Sequence, residues 1–188
     1  MTDRVLTRAE QIRALTHPLR IRMIDLLRGG AEMTATEMAE ATGESVASCS
    51  FHLRQLGRFG LIEPAPRRGR EKPWRAAPHP VALGDDSDDP DVEAASRSAV
   101  RAFLQHSYDA IDRAIDRDGD DPVSAATAQT HAAFWVTGDE LAELNRQISA
   151  LAQRFREREQ DPSLRPDGSR RVRLLAVTWT DDAHAEET

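Results

Sequence analysis

The feature of this sequence that most constrains its fold is a glycine that stands between two helix-start signals. Thr34 and Glu37 have the spacing of a capping box, so the pattern predicts that a short helix begins there. Gly43 can adopt the left-handed conformation that ends this helix. Ser45, only a little further on, suits the N-cap of another helix, which Gly60 closes. The sequence therefore predicts two helices joined by a tight turn.

Apolar periodicity and turn residues predict further elements on both sides of this pair. Apolar residues at helical spacing precede it in two bursts, the second opening at Pro18 and stopping at Gly29 and Gly30. After Gly60 the spacing becomes strand-like on either side of a basic tip at residues 67–72. This order of helices, tight turn and basic hairpin is that of a winged helix-turn-helix, whose helix after the turn enters the major groove of DNA.

The helix after the tight turn has one apolar and one polar face. With Cys49 at the centre of the inward face, Val46 and Leu53 also point inward at about 100° per residue. The opposite face suits base reading, because Arg pairs with guanine and Gln with adenine. A merely solvated surface is the alternative, but an exposed Phe51 favours a contact surface. The predicted DNA contacts are Ser45, Ala47, Ser48, Ser50, Phe51, Arg54, Gln55 and Arg58 in this helix, and Arg67, Arg68, Arg70 and Lys72 in the hairpin tip.

The charge of the chain is unevenly distributed, although its formal net charge is -7. Residues 1–80 hold 13 Lys and Arg against 9 Asp and Glu, a balance of +4, whereas residues 81–188 hold 12 against 23, a balance of -11. Phosphate attraction is local, since salt screens charges within about 8–10 Å. A basic front half therefore favours nucleic-acid binding even by an acidic protein.

The chain divides at an acidic segment. Residues 81–91 are rich in aspartate and lie among prolines, which predicts a linker between a DNA-binding domain at 1–80 and a helical domain at 92–180. The second domain opens with the apolar spacing of one helix of up to about 27 residues. The fold class is therefore mainly α (α+β), a winged helix-turn-helix domain followed by a helical C-terminal domain with one or two short strands. Residues 181–188 are predicted to be a disordered tail.

Two strands and a further helix are predicted within the C-terminal domain. Residues 132–136 and 171–180 are rich in side chains that favour strands. Between them Thr137 and Glu140 repeat the capping-box spacing, and apolar residues follow at steps of three and four as far as Phe155. The pattern fits either an ordinary core helix or a seam that faces a second subunit, and it leaves both open.

Three segments of the N-terminal half carry a family resemblance. They read ALTHPLRIRMIDLL at residues 14–27, SCSFHLRQL at 48–56 and GLI at 60–62. Together they resemble the DNA-binding domain of ArsR/SmtB-type transcriptional regulators over residues 8–78. The resemblance implies a homodimeric repressor that leaves its double-stranded DNA operator when an inducer binds. It assigns Ser48, Ser50, Phe51, Arg54 and Gln55 to the recognition helix and 67–72 to the wing, with His52 supporting helix packing.

The sequence departs from the metal sensors of that family. The helix that begins at Thr34 holds no thiol or imidazole, the six histidines are far apart, and Cys49 is expected to be a small core residue. No metal site and no cofactor is therefore predicted. A small-molecule effector would instead occupy an apolar pocket. Its candidate residues, for which core packing is the alternative, are Phe103, Tyr108, Phe134, Trp135 and Trp179.

Other features bear on the class of protein. No apolar run approaches the ~18 residues of a membrane span, the first ten residues are charged, and Cys49 is the single cysteine. A membrane span, a signal peptide and an internal disulfide are therefore not expected, and the protein is predicted to be cytoplasmic and bacterial. No Gly-rich phosphate loop or nucleophile elbow points to an enzyme. The leading prediction is a sequence-specific dimeric repressor. The alternative is a protein-interaction module that binds a partner chain on a winged-helix scaffold.

Overall fold

The computed structural model of the chain forms two compact units. The first contains Met1–Asp118 with Glu159–Pro162, and the second contains Gly119–Arg158 with Ser163–Thr188. No helix in the described ranges has the length and apolar character needed to cross a membrane. The residues that the structure describes are 4–6, 9–77, 81–83, 89–116 and 122–180.

In the described residues, the first unit combines five helices with two small sheets. The helices are α1 (Ala9–Arg13), α2 (Pro18–Leu27), α3 (Ala35–Thr42), α4 (Val46–Arg58) and α5 (Pro90–Ile115). The strands are β1 (Arg4–Leu6), β2 (Glu32–Met33), β3 (Ile62–Pro64), β4 (Trp74–Ala76) and β5 (Val81–Leu83). β2, β4 and β3 form an antiparallel sheet in that order, with Glu63 opposite Arg75, and β1 pairs in parallel with β5.

The predicted pair of helices and its tight turn are present. The Thr34 hydroxyl accepts the Glu37 N–H at 3.2 Å, and a Glu37 carboxylate oxygen accepts the Thr34 N–H at 2.6 Å, which completes the capping box of α3. Gly43 ends α3 with φ +78°, a conformation that costs other residues strain. Ser45 caps α4, since its hydroxyl accepts the Ser48 N–H at 3.1 Å.

The core of the first unit lies where α1 to α5 meet. Cys49 is fully buried, as expected for a small core residue, and the α5 residues Ala95 and Ala99 present small side chains that allow close packing. Val46 was expected to point inward but is 47% exposed, because it stands in the first turn of α4, one turn before the buried part of its face. The large side chains with no exposed surface are Ile12, Met23, Leu27, Met38, Leu53 and Leu56.

The first unit extends past the predicted linker at 81–91. β5 lies within that segment, and α5 packs against α1 and α2, so that residues up to Asp118 belong to this unit and not to a separate domain at 92–180. The physical reason is the small-residue face of α5, which only tertiary packing shows to be buried. The acidic residues at 84–88 and the predicted tail at 181–188 lie outside the described residues.

The second unit is helical. The helix predicted from Thr137 is present, and the same capping box begins it, with Thr137 N–H donating to Glu140 at 2.7 Å. The strands predicted at 132–136 and 171–180 are wrong, because both segments are irregular. A strand needs a neighbour for its backbone hydrogen bonds, and no ladder in the described part of the chain reaches either segment. Its helices are α6 (Pro122–Ala125) and α7 (Gly138–Gln153), and the first three residues of α8 (Arg156–Gln160) also belong to it.

Candidate nucleic-acid interface

α4 presents the outward face that its sequence predicts. Leu53 and Leu56 have no exposed surface, whereas Phe51 on the other side is 52% exposed. Arg54 and Arg58 are also exposed, and neither has a carboxylate at ion-pair distance within the described ranges. Of the remaining candidates, the exposed ones are Ser45 and Ala47, and the half-buried ones are Ser48, Ser50 and Gln55.

The hairpin between β3 and β4 forms a wing with an exposed basic tip. Arg67, Arg70 and Lys72 are exposed and have no carboxylate at ion-pair distance among the residues described. Arg68 differs from them. Its Nη2 lies 2.8 Å from a Glu37 carboxylate oxygen, so that its charge is matched within the protein. Arg67, Arg70 and Lys72 are therefore accessible to a ligand, whereas the charge of Arg68 is matched by Glu37.

α4 and the wing contact each other at a glycine of α4. A Cβ placed on Gly57 in α4 would lie 2.8 Å from Trp74 Cη2 in β4, and closer still to Cζ3. Glycine inside a helix is about 1 kcal/mol less favourable than alanine, so its presence is explained by this close approach. The glycine within a helical pattern was the available signal in the sequence, and Trp74, 17 positions further on, was not foreseeable as its partner.

His52 lies on the side of α4 that faces α2. Its ring centroid is 4.5 Å from that of His17, whose Nδ1 accepts the Leu19 N–H at 3.2 Å and caps α2. Burial lowers the pKa of His52, and the neighbouring His17 and Arg20 lower it further, against a smaller opposing effect of Glu44. His52 thus sits at a contact between helices, which is where the family resemblance places it.

Arg22 of α2 fixes the end of α3, a role that the sequence did not indicate. Its guanidinium donates to the carbonyl oxygens of Ala41 at 2.8 Å and Thr42 at 3.2 Å. These carbonyls belong to the last turn of α3, where the helix dipole favours a cation. Arg22 therefore holds the tight turn that aims α4.

The aromatic residues predicted for an effector pocket remain on the surface of their own units. Phe103 and Tyr108 on α5 are 42% and 54% exposed, and Phe134 and Trp135 in the second unit are 56% and 88% exposed. A shallow depression of about 320 Å³ in the first unit is lined by other residues, among them Arg13, Asp91 and Ser98. In the described ranges, no group of three or more His, Cys, Asp or Glu side chains is arranged to hold a metal ion.

Residues 15–65 match the family model of a helix-turn-helix domain. The chain contains a helix-turn-helix domain. The match covers α2, the tight turn and α4 and reaches the first strand of the wing, so the winged helix-turn-helix prediction is confirmed over this part. Such a winged helix-turn-helix is a DNA-binding domain of transcriptional regulators and not an enzyme fold.

Solved structures resemble this helix-turn-helix protein over 55% of its length. One is the homodimeric winged helix-turn-helix DNA-binding domain of a possible ArsR-family regulator from Mycobacterium bovis, at 26% identity over 78% of that chain with a TM-score of 0.35. A possible transcriptional regulator for arsenical resistance is 26% identical over 95% of that chain, with a TM-score of 0.33. A Mycobacterium tuberculosis protein is 23% identical over 91% of that chain, with a TM-score of 0.35. No curated protein matches the sequence.

Proposed function

We propose that this protein is a homodimeric transcriptional regulator of the ArsR type that represses transcription from a two-fold symmetric operator. The observation that carries the proposal is the outward face of α4. On this face Phe51, Arg54 and Arg58 are exposed, with no acidic partner among the described residues. On the opposite face Cys49, Leu53 and Leu56 are fully buried. An exposed aromatic side chain near two arginines that lack a carboxylate partner in the described part of the chain is costly to leave in water and suits a groove of DNA.

Each part of the site supplies a different kind of contact. Arg54 and Gln55 have the hydrogen-bonding groups that read guanine and adenine, and Phe51 can meet a thymine methyl group. The exposed tip of the wing, with Arg67, Arg70 and Lys72, supplies point charges for phosphates. The helix is thus proposed to give sequence specificity, and the wing to give affinity and its salt dependence.

A second apolar stripe on α5 supports the dimer. Val100, Leu104, Tyr108, Ile111 and Ile115 follow one another at steps of three or four, and four of them are at least 43% exposed. At about 100° per residue this stripe is centred roughly a third of a turn from the buried side that contains Ala99. A second copy of α5 is its proposed partner. The resulting two-fold axis would set the half-sites of the operator about 34 Å apart.

Release from the operator is proposed to depend on a small molecule other than a metal. Phe103 and Tyr108 are its candidate contacts in the first unit, and Phe134 and Trp135 are its candidates in the second. Aromatic side chains that are already exposed give an apolar ligand a favourable surface to cover. A ligand held beside the α5 stripe would act on the dimer contact and through it on the spacing of the recognition helices.

The test is selection of bound fragments from genomic DNA of the source organism, followed by titration of the best site. We expect an enriched two-fold symmetric sequence, and Arg54→Ala should weaken binding to it by about 1–3 kcal/mol. Arg113→Ala is the matched control, since it removes an exposed arginine from α5 and should leave affinity unchanged. Weak binding that does not depend on sequence would overturn the proposal and favour the protein-interaction module.

A further inference from the structure

We propose that Arg68 is a positioning residue that holds the tip of the wing on the start of α3, and that it does not contact DNA phosphate. The inference rests on the proposed function and deepens it, because it divides the basic residues of the wing into one that positions and three that bind. The sequence alone predicts all four as DNA contacts. The structure separates them by the partners of their guanidinium and ammonium groups.

The guanidinium of Arg68 contacts three other residues of the chain. Its Nη2 donates to the two carboxylate oxygens of Glu37 at 2.8 and 3.1 Å and to the Glu32 carbonyl oxygen at 3.3 Å. Its Nε lies 3.9 Å from a carboxylate oxygen of Glu71 on the other side of the tip. Arg68 and Glu71 also face each other as an antiparallel bridge pair. One side chain thus connects the wing tip to β2, to α3 and across its own hairpin.

The anchor of this contact is itself fixed. Glu37 is the capping-box residue of α3, and its Oε2 accepts the Thr34 backbone N–H at 2.6 Å. The hydrogen bonds from the Thr34 backbone and hydroxyl hold the pKa of Glu37 below its ordinary value, and Arg68 adds to the same effect. The carboxylate therefore stays charged at neutral pH and keeps one orientation. The guanidinium of Arg68, which is paired with this carboxylate, is therefore held in one orientation as well.

The neighbours of Arg68 indicate the role of its contact with Glu37. Arg67 and Arg70 stand beside it in the tip, exposed and without a carboxylate at ion-pair distance in the described part of the chain. Trp74 packed on Gly57 fixes the base of the wing, and Arg68 fixes its far end. A flexible hairpin tip loses conformational entropy when it binds, so fixing it beforehand improves affinity without adding a contact.

Glu37→Gln gives the sharpest test, because the two roles of Arg68 predict opposite signs. If Arg68 bound phosphate, removing the negative charge of Glu37 would free the Arg68 guanidinium for the phosphate and tighten operator binding. If Arg68 positions the wing, Glu37→Gln weakens binding, and Arg68→Gln weakens it by a similar amount. Gln at this position still fits a capping box, so α3 keeps its start. The double variant should bind no more weakly than the worse single variant, since both remove one interaction.

The salt dependence of binding and amide exchange complete the test. Arg70→Gln, the matched control for a phosphate contact, should lower the slope of log affinity against log salt by about 1. Without DNA, the Glu71 amide, which donates to the Arg68 carbonyl at 3.1 Å, should exchange about two- to fivefold faster in Glu37→Gln and Arg68→Gln, as expected for loss of an exposed ion pair. Arg70→Gln should leave that exchange unchanged.

The outcomes separate the two proposals. Unchanged amide exchange in both Glu37→Gln and Arg68→Gln overturns the positioning role, and so does tighter operator binding by Glu37→Gln. If the unaltered protein selects no operator, the proposed function fails, and the exchange measurement still decides whether Arg68 holds the wing.

Discussion

α3 and α7 begin with the same signal and end in different surroundings. Both start at a threonine whose hydroxyl accepts the N–H of a glutamate three residues later, at 3.2 Å in α3 and 3.3 Å in α7. α3 then buries Met38 and Ala39, whereas α7 buries no residue at all. The comparison teaches that a local sequence signal starts a helix wherever it occurs. Whether that helix contributes to a core depends on what packs against it.

The same difference separates the two units as wholes. The first unit has a continuous core in which side chains of five helices are fully buried. No described side chain of the second unit is buried, and large apolar residues such as Leu151, Phe155 and Trp179 are more than half exposed. Burial of apolar surface is the main favourable contribution to folding. We therefore expect the stability of the chain to reside in the first unit.

Matched leucine substitutions test this expectation with the largest effect. Leu53→Ala, at a position with no exposed surface, should lower the free energy of unfolding by about 2–5 kcal/mol, because it removes buried methyl groups and leaves a cavity. Leu151→Ala, at a position that is 55% exposed, should change it by less than about 0.5 kcal/mol. Urea unfolding followed by circular dichroism measures both. A large cost for Leu151→Ala would break the comparison and show that the apolar face of α7 is covered in solution.

Glycine substitutions give an intermediate effect. Gly57→Ala should destabilise the protein by about 1–3 kcal/mol, because the added Cβ would overlap the ring of Trp74. The matched control is Gly138→Ala in the first turn of α7, where no atom lies within 4 Å of an added Cβ. It should be neutral or slightly stabilising. Thermal unfolding of the two variants side by side checks the difference, and a neutral Gly57→Ala would mean that Trp74 moves aside without cost.

The two capping boxes provide the smallest effect and the most direct comparison. Thr34→Ala should lower the global free energy of unfolding by about 1 kcal/mol, since α3 is part of the core. Thr137→Ala should reduce the helix signal of α7 and leave the main unfolding transition where it is. Hydrogen exchange resolved by residue distinguishes a local from a global loss of stability. A shift of the main unfolding transition by Thr137→Ala would show that the two units unfold in one cooperative transition.

Acid should act on the first box in a defined direction. The pKa of Glu37 lies below its ordinary 4.5 because its carboxylate accepts hydrogen bonds from Thr34. Between those two pKa values the unfolded state binds more protons than the folded state, so this contribution is complete above pH 4.5 and is lost as the pH falls below it. The cost of Thr34→Ala should therefore shrink in acid. A cost that stays constant down to pH 3 would show that the hydroxyl acts independently of the carboxylate.

Much of the fold and of the candidate site could be predicted because their signals are local. Capping residues, the glycine at Gly43 and apolar spacing gave α2, α3, α4 and the wing. The same spacing placed Phe51 and Arg54 on the outer face of α4, where the structure has them. β2, with only two residues, carries no pattern that a sequence could reveal, and it exists because β4 lies beside it.

The sequence by itself determined where helices start and stop, which face of α4 is apolar, and that the wing tip is basic, because these depend on residues a few positions apart. Only the tertiary structure decided that α5 joins the first unit, that Gly57 makes room for Trp74, and that Arg68 pairs with Glu37, 31 positions earlier. Tertiary structure also decided that the segments 132–136 and 171–180 are not strands, since strand propensity takes effect only where a partner strand is present. Contacts between distant residues depend on the packing of the whole chain, and no local pattern encodes them.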